Sequence, residues 1–224
     1  MAESKAEAEV LEYAGWESDA LQLHHSYGIP ADRRNNLLYV ADDVLVYAAG
    51  NCVHFLNVTT KERTFKVGRD GGGVGALAVH PNRKYFSVAE KGNQPNIYVY
   101  KYPEAGKPLR MLRGGTERRY CNLSYSKSGA KLASIGGFPD YSITVWDWKK
   151  EHILLKVKAF SQEVYRVAFN PRTDGILTTS GQGHIKFWKM ADTFTGLKLQ
   201  GELGKFGALE ISDTAGFLAL PEDR

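Results

Sequence analysis

Between residues 164 and 199, apolar runs alternate with turn clusters. Residues 164–169 are followed by Asn170-Pro171-Arg172-Thr173-Asp174, residues 175–179 by Ser180-Gly181-Gln182-Gly183, and two further runs cover 185–188 and 197–199. Short runs rich in β-branched and aromatic side chains, bounded by Gly, Pro, Asn and Asp, read as strands. Four strands within roughly forty residues make a sheet too small to bury both faces, so copies must stack, and a period of that size marks a propeller blade.

The pattern recurs along the chain. Runs at 37–40, 44–48, 53–58 and 63–67 predict a first blade, and runs at 76–79, 85–89, 97–100 and 109–112 a second. A third is predicted from 121–125, 131–135, 143–148 and 153–157. The third strands begin at Val53, Ile97, Ile143 and Ile185, in steps of 44, 46 and 42, and the first strands at Leu77, Leu123 and Val167 step by 46 and 44. Two strand types with one drifting period argue for real repeats. The expected fold is all-β, a partial WD40-like β-propeller of about four blades plus the start of a fifth. Its organisation is a flexible acidic leader over 1–19 and a propeller segment over 20–224. The blades fall at about 36–70, 74–115, 119–159 and 163–204, with a partial blade at 206–224. Residues 20–27 alternate apolar and polar and predict a further strand before Gly28-Ile29-Pro30. Rings have about 4–8 blades, so the chain is expected to be a piece of a longer one.

Composition adds a compartment and a charge asymmetry. With 43% hydrophobic and 12% aromatic residues in 224, the chain is globular. Acids occupy the leader where a secretory signal needs an apolar run, and no stretch approaches the ~20 apolar residues of a membrane span, so an intracellular, soluble protein is expected. Cys52 and Cys121 have no CxxC spacing and are expected as buried thiols. Net charge is +4, yet residues 1–19 carry six acids against Lys5, which leaves +9 on the rest. A basic body suits an acidic partner, or simply a lysine-rich solvated surface.

Candidate chemistry is sparse. Gly71-Gly72-Gly73-Val74-Gly75 lacks the Lys-Ser/Thr and following helix of a phosphate loop and reads as an inter-blade turn. His24 and His25 point to opposite faces of a strand and cannot chelate together. No Gly-x-Ser-x-Gly elbow is present. No catalytic, cofactor-binding or metal-ligating residues are expected. Lys107, Arg110, Arg113, Arg118 and Arg119 cluster in sequence around the fourth strand of blade two, either as a partner-binding rim or as a charged edge that discourages strand pairing. Tyr98, Tyr100, Tyr102 and Tyr120 nearby are interface anchors or blade cover.

Ile143-Thr144-Val145-Trp146-Asp147 and Ile185-Lys186-Phe187-Trp188-Lys189 resemble the strand that closes a WD repeat. In such repeats a Ser-His-Asp-Trp network holds the indole. That resemblance assigns structural positions to Trp146, Asp147 and Trp188, places Ser180 as the serine before Trp188, and makes Asp140 the turn aspartate before Trp146. The opening Gly-His pair is missing and Gln182 replaces the turn Asp of the fourth blade. Four separated stretches are more specific: Val88-Ala89-Glu90-Lys91-Gly92, Lys158-Ala159-Phe160-Ser161-Gln162-Glu163-Val164, Thr179-Ser180-Gly181-Gln182-Gly183-His184-Ile185-Lys186-Phe187-Trp188, and Phe194-Thr195-Gly196-Leu197-Lys198-Leu199-Gln200-Gly201. They resemble the amino-terminal propeller of the cilia- and flagella-associated WD-repeat protein forty-four family, over roughly residues 20 to 212. Membership would imply longer proteins with further WD repeats and coiled coil. It would also imply a role in the tether holding an inner-arm dynein motor against the doublet microtubule of motile cilia. The implied partners are other tether subunits, inner-arm dynein and doublet microtubule tubulin, with no membrane, nucleic acid or cofactor; the implied location is the axoneme, within cytoplasm and cytoskeleton. Two other readings are a cytoplasmic adaptor binding an acidic partner or nucleic acid through the basic rim, and a hydrolase.

Overall fold

A computed structural model describes residues 23–30, 35–194 and 196–204. These form sixteen strands in four separate antiparallel sheets, each following chain order from first strand to fourth. The first sheet holds β1 (Leu37–Tyr39), β2 (Val44–Ala49), β3 (Cys52–Asn57) and β4 (Arg63–Val67); the second holds β5 (Val74–Val79), β6 (Tyr85–Glu90), β7 (Ile97–Lys101) and β8 (Arg110–Leu112). The third contains β9 (Tyr120–Tyr125), β10 (Leu132–Gly136), β11 (Ser142–Asp147) and β12 (His152–Lys158), and the fourth β13 (Val164–Phe169), β14 (Ile176–Gly181), β15 (His184–Thr193) and β16 (Gly196–Leu203). Among the described residues there is no helix.

Stacking explains why the middle strands do not alternate. Every residue from Phe86 to Glu90 and from Ser142 to Trp146 is buried, because blades 2 and 3 have a neighbour on each face. One core joins blade 1 to blade 2 through Val46, Val53, Phe86, Val88 and Tyr100. A second joins blades 2 and 3 through Ile97, Leu112, Leu132, Trp146 and Trp148, and a third joins blades 3 and 4 through Ile143, Val145, Leu177 and Trp188. Tyr98, Tyr100 and Tyr120 are buried in or beside these layers, which makes them blade core; Tyr102 is half-buried.

The innermost strands repeat one irregularity. In β5, β9 and β13 the ladder to the next strand skips one residue, namely Gly75, Cys121 and Tyr165, giving a bulge at the same place in three successive blades. At the first of these the neighbouring blade's backbone comes so close that a Cβ on Gly75 would sit 2.4 Å from the Tyr120 carbonyl oxygen. Gly71-Gly72-Gly73 lead into β5 as an inter-blade connection, with Lys91 N donating to Gly73 O at 2.8 Å.

Two expectations are corrected. Residues 23–27, the described part of the strand expected over 20–27, join no ladder. They lie across blade 1, where Ser26 Oγ is 3.1 Å from His54 Nε2 and the Arg63 guanidinium stands over the Tyr27 ring. Alternation alone does not make a strand when no free edge pairs with it. The last hairpin is also longer than its apolar runs: β15 continues through Met190, Ala191 and Asp192, paired with Leu199, Lys198 and Leu197. There the ladder extends structure into polar sequence, and Phe194 stands fully exposed near its tip. The leader over 1–19 and the partial blade over 206–224 lie outside the described residues.

Candidate functional site

The tryptophan positions show how the blades are locked. On β11, Trp146 faces Leu132 of β10 across the ladder, and Ser134, two residues further along β10, shares that face. Its Oγ accepts the Trp146 Nε1–H at 2.9 Å. In blade 4, Trp188 faces Leu177, so the residue two further along is Thr179, and Thr179 Oγ1 accepts the Trp188 Nε1–H at 2.8 Å. Ser180, assigned that place from sequence, is one residue out of register and points to the opposite face of the sheet. In blade 2 the ring at the same position is Tyr100, opposite Phe86, and the residue two beyond is Val88. Blade 2 thus has neither the indole at this position nor the hydroxyl two residues along the neighbouring strand.

This geometry gives a prediction. Thr179→Val is expected to lower stability by about 1–3 kcal/mol, the cost of an unpartnered buried donor, and Ser180→Ala by clearly less. Urea midpoints of the two variants decide it, and an equal or reversed order would return the bond to Ser180.

Asp140 lies in the β10–β11 turn, with its carboxylate accepting the Thr116 hydroxyl at 2.8 Å and 2.6 Å from Ser142 Oγ. Thr116, after Gly115, thus takes the bond that a Gly-His pair would make. Asp147 ends β11 and caps the next turn, accepting Lys150 N at 3.3 Å.

Three of the six histidines, His54, His80 and His184, are core groups. His80 Nδ1 accepts the Asn82 amide at 3.2 Å, so its proton sits on Nε2 and is donated to Gly129 O at 3.1 Å. His184 Nδ1 donates to Gln182 O, its ring stacks on Phe160 at 3.7 Å, and its Nε2 is buried without a partner. His54 is wholly buried, with Nδ1 unpartnered. In each case a second proton would meet an N–H or nothing. Burial accordingly holds all three below the ordinary 6.5, helped by the positive Arg63 beside His54. A depressed folded value contributes stability above the unfolded pKa and loses it as pH falls through the folded one. Buried Glu90 is shifted upward by burial and works in the opposite direction. With three groups against one, the thermal midpoint is expected to fall as pH drops below about 6.5; a rising midpoint over that range would refute the neutral assignments. Among the described residues no group of three His, Cys, Asp or Glu side chains is placed to hold a metal ion.

The basic cluster read from sequence does not form one patch. Each blade has a lower end, with the turns after its first and third strands, and an upper end, with its second turn and the connection to the next blade. Arg110 donates from Nε to Lys149 O at 2.7 Å on the lower end, and exposed Lys107 lies in the loop before it. Arg119 is on the upper end, bridged to Lys91 and paired with Glu163 at 2.8 Å, beside Arg118, whose carbonyl accepts Gly92 N. Arg113 begins that upper connection and reaches Met111 Sδ. β8 separates the two groups by roughly 10 Å of extended chain.

Stacked four-stranded blades, three with a bulged inner strand and two with an indole held by the neighbouring strand's hydroxyl, define a WD40-like β-propeller segment. No family model matches the chain. It is 48% identical over 204 residues to Cilia- and flagella-associated protein 44 of Mus musculus and 49% identical over 210 residues to the protein of the same name in Chlamydomonas reinhardtii, in both cases over 91% of this chain. Over that length the chain is a homologue of the proteins called cilia- and flagella-associated protein 44. It is also 28% identical over 197 residues, 83% of its length, to human Echinoderm microtubule-associated protein-like 1. The chain spans only 11% and 12% of the length of the first two relatives, and 24% of the third.

Proposed function

We propose that this chain is a non-catalytic docking module of the motile ciliary axoneme, part of a tether that anchors inner-arm dynein motor domains to doublet microtubules and supports ciliary beating. The observation that carries this reading is the near-half identity, over nine-tenths of the chain, to proteins named for cilia and flagella. The structure supports the mechanical part. Three continuous apolar layers fix four blades against one another, so surface loops are held at constant separations under load. Rigid spacing of partners is what a tether needs, and it consumes no substrate. The five cations behind the rim adaptor alternative divide between opposite ends of the blade, which weighs against their acting as one surface.

The test is to tag the gene's full product in a ciliated cell and extract the axonemes. Retention in the axoneme with tubulin, inner-arm dynein and other tether subunits is the expected result. A product that washes out with the soluble fraction, or that is retained without any of these, would overturn the proposal.

A further inference from the structure

Three exposed lysines lie in lower turns that are tied together. Gly129 O, in the β9–β10 turn, accepts both His80 Nε2–H at 3.1 Å and Trp148 Nε1–H at 2.7 Å. One carbonyl thereby binds the β5–β6 turn of blade 2 to both lower turns of blade 3. His80, Tyr125 and Trp148 pack edge to face around it. Each turn is fixed internally as well: Lys84 N donates to Asn82 Oδ1, Gly129 N to Ser126 O, and Lys150 N to Asp147.

The three turns (80–84, 126–131 and 147–151) carry six bases against two acids, and two further carboxylates reach them from neighbouring blades, Asp42 on Arg83 and Asp174 on Ser128. Arg83 and Lys150 pair with Asp42 and Asp147. Lys84, Lys127 and Lys149 are exposed and have no carboxylate within ion-pair distance among the described residues. Arg110 folds onto the same place through Lys149 O.

We propose that this knot of turns is a docking surface for an acidic, unstructured polypeptide segment, a partner class that deepens the reading of the chain as a protein-docking module. Lysines on a rigid backbone offer mobile point charges at fixed spacing, which suits side-chain carboxylates that adjust independently. A nucleic acid fits less well. The aromatic rings here are buried, Trp148 to 1% exposure and Tyr125 to 8%, so no stacking platform faces solvent. Asp147 and Glu151 lie among the bases, where a continuous phosphate backbone would meet them.

The test measures binding of a labelled oligo-glutamate peptide to the purified chain by fluorescence anisotropy. Binding at low salt that weakens steeply toward about 0.15 M is expected. Lys84→Gln, Lys127→Gln and Lys149→Gln together are expected to weaken it about tenfold, while Arg113→Gln with Arg118→Gln on the upper end leaves it unchanged. These side chains are exposed, so an unaltered circular dichroism spectrum checks the fold. Absence of peptide binding, equal binding by the triple variant, loss through the upper pair instead, or tighter binding of a single-stranded oligonucleotide of equal charge would each overturn the proposal. Because the readout is binary binding in solution, it is decided independently of whether the chain is retained in axonemes.

Discussion

Trp146→Ala is expected to destabilise the fold by about 3–5 kcal/mol, the range for removing a large aromatic from a closed core. The side chain has no exposed surface and lies in the layer between blades 2 and 3, against Leu132, Leu123 and Trp148. Its loss opens a cavity that two stacked sheets cannot close, because each is also pinned to a blade on its far side. The Ser134 hydroxyl loses its donor in the same step. Trp146→Phe keeps much of the volume and loses only the N–H and one ring, so it should cost less than half as much. Guanidinium denaturation followed by far-ultraviolet circular dichroism measures both, and a Trp146→Ala loss below about 1 kcal/mol would mean the blades do not depend on this layer.

The second large effect belongs to a residue with no side chain. Gly129 has φ of +73°, and a Cβ there would lie 2.1 Å from His80 Nε2. Gly129→Ala therefore meets backbone strain and a collision with a ring that has no room to retreat, being packed against Tyr85, Tyr125 and Trp148. A loss of about 2–4 kcal/mol is expected, together with weaker protection of the His80 and Trp148 ring N–H protons in hydrogen exchange. Gly106, whose Cβ would meet nothing within 4 Å, is the control, and Gly106→Ala should change stability little. If the two substitutions cost the same, the tie between blades 2 and 3 is not rigid.

What was legible in the sequence follows from what repeats locally. The spacing of Ile97, Ile143 and Ile185 marked the third strands of the described blades, because apolar runs and turn residues are properties of a few neighbours. Trp146 and Trp188 could be placed on their strands for the same reason. Their partners were harder. Choosing Thr179 over Ser180 depends on which residue lies opposite Trp188, and a shift of one residue reverses the face.

The sequence by itself determined the four sheets of the described residues, their order along the chain, and that they must stack, since each unit is too thin to hide its apolar faces alone. Only the tertiary structure decided which charges share a surface. Arg110 and Arg119 are nine residues apart yet sit at opposite ends of a blade, whereas the turns that carry Lys84, Lys127 and Lys149, far apart in the chain, are tied together at one carbonyl. A strand carries neighbouring residues away from each other along its length, and stacking brings equivalent turns of different repeats side by side. The pattern of a blade is written within about forty residues; the surface made by several blades is a property of their packing.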